Sequence, residues 1–144
     1  MSEVTNMIAM ICVDDKNGMM FNRRRQSQDR IVREHILQRA GGSMIWMNAY
    51  SQKQFVNTEP SRLKICEDFL DRAGAGDFCF VEGQDLRPYI DRIEEIILYK
   101  WNRSYPADVW FEVELSVWKL AEAEEFVGSS HEKITMERYI RCEN

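Results

Sequence analysis

Five arginines fall within eleven residues, Arg23, Arg24, Arg25, Arg30 and Arg33, and a single aspartate, Asp29, stands among them. A guanidinium is a planar fork of donors that grips two oxygens of a phosphate or carboxylate at once, so this segment is a candidate anion site. Gln28 adds an amide to it. Behind Asp29, the residues Ile31, Val32, His35, Ile36 and Ala40 recur at helical spacing, which places the carboxylate at a helix N-terminus. Two roles follow for it. A buried carboxylate in that place can hold a cationic heterocycle and guide its protonation. It can equally do no more than cap the helix. Arg30 and Arg33, three positions apart, share a face beside a terminus that itself favours anions. Asp29 and its arginines are therefore expected to form one polar pocket, a site for a small anionic ligand.

Other chemistries are excluded by count. The two histidines, His35 and His131, lie far apart with no H-x-H or H-E-x-x-H context, so no His-built metal centre is expected. Cys12, Cys66, Cys79 and Cys142 form no C-x-x-C pair and read as reduced, structural thiols. The net charge of −5 argues against general nucleic-acid affinity, yet it is unevenly spread. Residues 1–43 carry seven Lys/Arg against five Asp/Glu, and the remainder carries twelve against nineteen. A local anion site fits that distribution better than a broad basic face. No apolar run reaches the length of a membrane span, and the polar segment Met1–Asn6 carries no secretory pattern, so a cytoplasmic protein is expected.

The elements that must position these residues alternate. Met7–Val13 is an unbroken apolar run ending in Asp14-Asp15-Lys16-Asn17-Gly18, which reads as a strand buried on both faces. A loop rich in Asn and Arg leads to the helix behind Asp29, which stops at Gly41-Gly42. Met44–Met47 is a second strand. A second helix is expected from Pro60-Ser61 through Leu63, Cys66, Phe69, Leu70 and Ala73, ending at Gly74-Ala-Gly76. Phe78–Val81 is a third strand, followed by a brief helix with Leu86, Tyr89 and Ile90, and Glu95–Trp101 contains a fourth. Val109–Phe111, Trp118–Phe126 and Lys133–Arg141 are extended, the last two pairing across 127–132. Trp46, Trp101, Trp110 and Trp118 lie on strands, and Trp110 with Phe111 would offer a homodimer seam if both faced outward. The expected architecture is one α/β domain over residues 1–144, a three-layer mixed sheet with helices on both faces and an antiparallel C-terminal hairpin.

That order, with the motifs at its joints, resembles the dihydrofolate reductase family in a divergent, shortened form. Met7-Ile-Ala-Met-Ile-Cys-Val-Asp-Asp-Lys-Asn-Gly18 is similar to the family's first strand and the start of its mobile loop. Met44-Ile-Trp-Met-Asn-Ala-Tyr-Ser51 is similar to its V-x-M-G-R-x-T segment. Phe80-Val-Glu-Gly-Gln-Asp-Leu86 is similar to its V-I-G-G-x-x-[IL], and Ala107-Asp-Val-Trp-Phe111 to its G-D-T-x-F-P. Trp118-Lys-Leu with Thr135–Arg141 is similar to its closing hairpin. The resemblance implies that Asp29 is the acidic residue that contacts the substrate heterocycle. It also implies that Asn48, Tyr50, Ser51, Glu82, Gly83 and Gln84 border a nicotinamide cofactor, NADH or NADPH.

The departures fall on function. Ala49 stands where the family usually has an arginine for the 2′-phosphate of NADPH, so preference for NADPH is expected to be lost. Glu82 replaces the first of two glycines whose freedom lets a cofactor lie on the backbone, and its charge would repel pyrophosphate. Only eleven residues separate Ser51 from Leu63, too few for the family's adenosine-binding part. Arg30 and Arg33 lie where apolar residues usually meet the substrate, and Val109 replaces a threonine that bonds the acidic residue. Three functions stay open: a divergent reductase acting on a small heterocyclic or carbonyl substrate, a non-catalytic module for a phosphorylated metabolite or nucleotide, and a structural protein.

Overall fold

The structure is a computed structural model that describes residues 6–142. The polar segment before residue 6 lies outside the described residues. β1 (Met7–Val13) is the fourth of seven strands in the main sheet, flanked on both sides by parallel partners. Its unbroken apolarity has a direct cause. Met7, Ala9, Ile11 and Val13 point into one core layer, while Ile8 and Met10 point into the other. Neither face meets water, so neither face needs a polar residue.

α1 (Arg30–Ala40) covers one of those faces. Asp29 caps it through the N–H groups of Ile31 and Val32, and Gly41, at φ +56°, ends it in a conformation that disfavours side chains. The helix buries Val32, Ile36 and Ala40 against the sheet, where Ile8, Met10, Tyr99 and Ile97 receive them. Full burial of each larger aliphatic side chain stabilises the layer by about 1.5–3 kcal/mol. On this side β4 (Ile45–Met47) supplies Ile45 and Met47.

The expected long second helix breaks into three pieces. Pro60–Arg62 is a single 3-10 turn, β5 (Leu63–Ile65) is the edge strand paired with β4, and α3 (Phe69–Arg72) is one turn of helix. A short α2 (Ala49–Gln52) precedes them. The apparent stripe misleads because its members serve opposite layers. Leu63 packs with the α1 side of the sheet, whereas Phe69, Leu70 and Ala73 pack on the other. Pairing with β4 also satisfies the backbone of residues 63–65, which a helix would have to take away. The brief helix after Gly83 is the 3-10 segment Arg87–Arg92.

β6 (Phe78–Val81) and β7 (Ile93–Lys100) flank β1, and the hairpin of β9 (Trp118–Phe126) and β10 (Ile134–Arg141) closes the sheet antiparallel to β7. The mixed, three-layer architecture and the C-terminal hairpin are as expected. Part of the Asn/Arg-rich loop is instead a small hairpin. β2 (Gly18–Phe21) pairs with β3 (Arg24–Arg25) across Asn22 and Arg23, both at positive φ, and with β8 (Val109–Trp110) on its other edge. Of the suggested dimer seam, Trp110 is 47 % exposed but Phe111 is buried. Among the described residues no helix is long and apolar enough to cross a membrane.

Candidate functional site

The C-terminal ends of β1, β4 and β6 and the head of α1 converge on one side of the sheet, and two buried carboxylates organise this region. Asp29 is one. Its Oδ1 accepts from the N–H groups of Ile31 (2.9 Å) and Ser129 (2.9 Å) and lies 3.3 Å from that of Val32. Its Oδ2 accepts from the N–H of Ser130 (2.8 Å) and lies 2.9 Å from His131 Nδ1. The hydroxyls of Ser129 and Ser130 add a further contact to each oxygen. Gly128 lies so close that a Cβ there would strike the carboxylate. Burial pushes the Asp29 carboxyl up, but the N–H groups of Ser129 and Ser130, with His131 and Val32, outweigh it and hold the group well below the usual range.

Asp14 is the second. It accepts from the N–H groups of Gly18 (2.7 Å), Lys16 (2.9 Å) and Tyr105 (3.0 Å) and from Gln26 Nε2 (3.1 Å). Burial raises its pKa, and these donors more than reverse the effect. Asp14 thereby ties the end of β1 to both the β3–α1 connection and the segment around Tyr105.

The three consecutive arginines go to three places. Arg23 borders an open cleft at the hairpin turn, Arg24 is exposed, and Arg25 turns inward. The Arg25 guanidinium grips both oxygens of Glu82 at 2.9 and 3.1 Å and stacks 4.3 Å over the Tyr50 ring. Ser51 Oγ (2.8 Å) and Gln54 Nε2 (2.9 Å) complete the donors around Glu82. Glu82 is thus neutralised from within, and the space above the ends of β1 and β6 holds a guanidinium of the chain itself.

Two clefts border this centre. Five of the six residues that the resemblance assigns to a cofactor, Asn48, Tyr50, Glu82, Gly83 and Gln84, line an open cleft of about 510 Å³ with Arg23 and Asp108. The sixth, Ser51, is buried behind Glu82. Gly83 has φ +92°, and the Met20 sulfur occupies the position its Cβ would take. Ala49 is exposed, and its N–H donates to Glu67. The second cleft, about 300 Å³, is lined by Arg30, Arg33, Glu34, Gln54, Asn57 and Thr58 over Leu37 and Phe55. Arg30 pairs with Glu34 at 2.9 Å, in an exposed pair. Arg33 is half-buried, and among the described residues no carboxylate lies within ion-pair distance of it. Asp29 does not line this cleft, and the Gln28 side chain is exposed.

The arginines and the aspartate therefore do not share one pocket, as their spacing suggests. Residues that sequence reasoning passed over complete the site: His131, Ser129, Ser130, Ser27, Tyr105, Gln54 and Asn57. The Ser129-Ser-His131 run was the one visible signal, a cluster of small donors in the hairpin loop. Cys12 and Cys79 have their thiols pushed up by burial, that of Cys79 to about 12, which keeps both unreactive. Among the described residues no group of three or more His, Cys, Asp or Glu could hold a metal ion.

No protein-family model matches the chain, and no curated protein does. Solved structures do. The dihydrofolate reductase of Enterococcus faecalis, complexed with NADP(H) and RAB-propyl, superposes with a TM-score of 0.69 over 96 % of this chain and 97 % of that one, at 10 % sequence identity. The chain has a dihydrofolate reductase-like fold.

Proposed function

We propose that this protein is a binding module for a small anionic metabolite on a dihydrofolate reductase-like scaffold, and not a hydride-transfer enzyme. The observation that carries this is Arg33, a half-buried guanidinium without a carboxylate partner among the described residues, opening into a cleft with Gln54, Asn57 and Thr58 whose one carboxylate, Glu34, is already paired with Arg30. Partial burial without a counter-charge is unfavourable for a cation, and a bound phosphate or carboxylate would offset that cost with charge-assisted hydrogen bonds. Two further facts support the second half of the proposal. Asp29 has its oxygens committed to donors of the chain, and Arg25 with Glu82 fills the place above the strand ends.

Calorimetric titration with phosphate, pyrophosphate and small phosphorylated metabolites tests the reading. Wild type should bind at least one of them, and Arg33→Ala should weaken it by about tenfold or more, some 1.4 kcal/mol. Equal binding by both proteins would sink the proposal.

A second reading keeps a nicotinamide, because five of six residues assigned to it by resemblance line the same open cleft. Against it stand Ala49, the Asp108 carboxylate that lines the cleft, and the Arg25–Glu82 pair that takes the place of the first of the family's two glycines. NADPH is expected to bind weakly or not at all, and no better than NADH. Submicromolar NADPH affinity with clear preference over NADH would restore the reductase.

A further inference from the structure

We propose that Ser27, His131 and Asp29 form a nucleophilic site for acyl transfer, with small carboxylic esters as its substrate class. It is separate from the Arg33 cleft and does not depend on the binding function proposed for it. His131 lies 2.9 Å from Asp29 through Nδ1 and 3.0 Å from the Ser27 hydroxyl through Nε2. A carboxylate can only accept, so Nδ1 carries the proton and Nε2 turns its lone pair to the hydroxyls of Ser27 and Tyr105. Acid, imidazole and hydroxyl in that order are what activate serine on several unrelated folds.

The imidazole is held rigidly. Trp101 stacks on it at 4.6 Å, the Tyr105 hydroxyl reaches Nε2 at 3.1 Å, and its side chain is 1 % exposed. Such pre-organisation exceeds what capping α1 requires, since the N–H groups at its head need only the Asp29 oxygens. Burying an ionisable pair is seldom the cheapest way to fill a core. Ser27 itself is only half-buried. The backbone N–H groups of Ser27 and Gln28 donate to no protein acceptor among the described residues, and so are free to receive an oxyanion. Tyr105, which contacts His131, also lines a cavity of about 260 Å³ with Phe21, Pro106 and the polar residues Asn22, Arg24, Arg25 and Gln26, room for a small acyl group.

In the reaction, the Ser27 oxygen attacks the ester carbonyl carbon while its proton passes to His131 Nε2. The carbonyl electron pair moves onto oxygen and returns as the C–O bond to the alcohol breaks. The alcohol leaves with the proton from Nε2. Water then attacks the acyl-serine, its proton going to Nε2 and on to Ser27, and the carboxylic acid is released. Asp29 touches no reacting atom; it is a positioning residue.

A fluorophosphonate probe tests the site directly, since attack by Ser27 forms an Oγ–P bond and expels fluoride. Peptide mass spectrometry should find the adduct on Ser27. Ser27→Ala should carry no adduct, and His131→Gln should react at least about 100-fold more slowly. An adduct that is absent from wild type or lies on another serine overturns the proposal, as does an unchanged rate in His131→Gln. Should His131→Gln not fold, Ser27→Cys in an otherwise native chain gives the second readout. Its new thiol should be alkylated by iodoacetamide faster than the exposed Cys142, and an equal or slower rate overturns the proposal too.

Discussion

Asp29→Asn is expected to lower the free energy of unfolding by about 3–5 kcal/mol, the range for removing one partner of a buried, hydrogen-bonded charge. Only 2 % of Asp29 is exposed, and both its oxygens face donors. An asparagine keeps one acceptor oxygen but turns an NH2 toward the donors on the other side. With Oδ1 kept toward Ile31 and Ser129, the N–H of Ser130 is left without an acceptor, and the imidazole Nδ1 keeps only the Ser130 hydroxyl at 3.2 Å. Each buried group stranded in this way costs about 1–3 kcal/mol. Denaturant titration followed by circular dichroism measures the loss. A cost below about 1 kcal/mol would show that the loop 127–132 rearranges and that the carboxylate does not organise it.

The pH dependence has a definite sign. Asp29 has a folded pKa below its unfolded one, so its contribution is fully present above the unfolded value of about 3.9 and disappears as pH falls through the folded value. Glu122 adds to the same trend: Arg39 and Arg138 draw its carboxyl down to about 2. Wild type should therefore lose stability steadily below about pH 4, and the gap to Asp29→Asn should narrow over the same interval.

Arg25→Ala is expected to cost roughly 2–3 kcal/mol, less than a fully buried pair because the Arg25 and Glu82 side chains keep 18 % and 9 % of their exposure. The variant leaves Glu82 with Ser51 and Gln54 alone and strips the guanidinium from the Tyr50 ring. The charge left behind, not the lost contact area, should dominate. The double variant Arg25→Ala/Glu82→Gln should then be more stable than Arg25→Ala by about 1 kcal/mol or more. A double variant no more stable than the single one would mean that water already neutralises Glu82. Removing Arg25 also empties the space above β1 and β6, so any gain in nicotinamide affinity should appear in this variant first.

The fold was legible to different depths along the chain. β1, α1 and the C-terminal hairpin could be read within a residue or so, because each declares itself locally. A strand covered on both faces is continuously apolar, an aspartate and a glycine bracket α1, and the hairpin has two extended runs around a polar loop. The stretch from Pro60 to Ala73 could not be read this way. Its apolar residues have helical spacing, yet Leu63 and Phe69 belong to opposite core layers, and that assignment exists only once β4 is in place to pair with β5. Periodicity reports which residues seek burial, not which side of a sheet will bury them.

The site divides in the same manner. Residue types alone determined that an aspartate heads α1, that five arginines lie near it along the chain, and that the two histidines have no metal-binding spacing. Tertiary structure alone decided what each charged group meets. Arg25 turned inward to Glu82, 57 residues away, and Arg33 was left facing a cleft. Asp29 was claimed by the loop of Ser129, Ser130 and His131, about a hundred residues further on. The physical reason is that an ionic side chain is stabilised by the nearest partner that can share its burial. Which partner is nearest depends on how distant segments pack, and no local pattern in the chain encodes that distance.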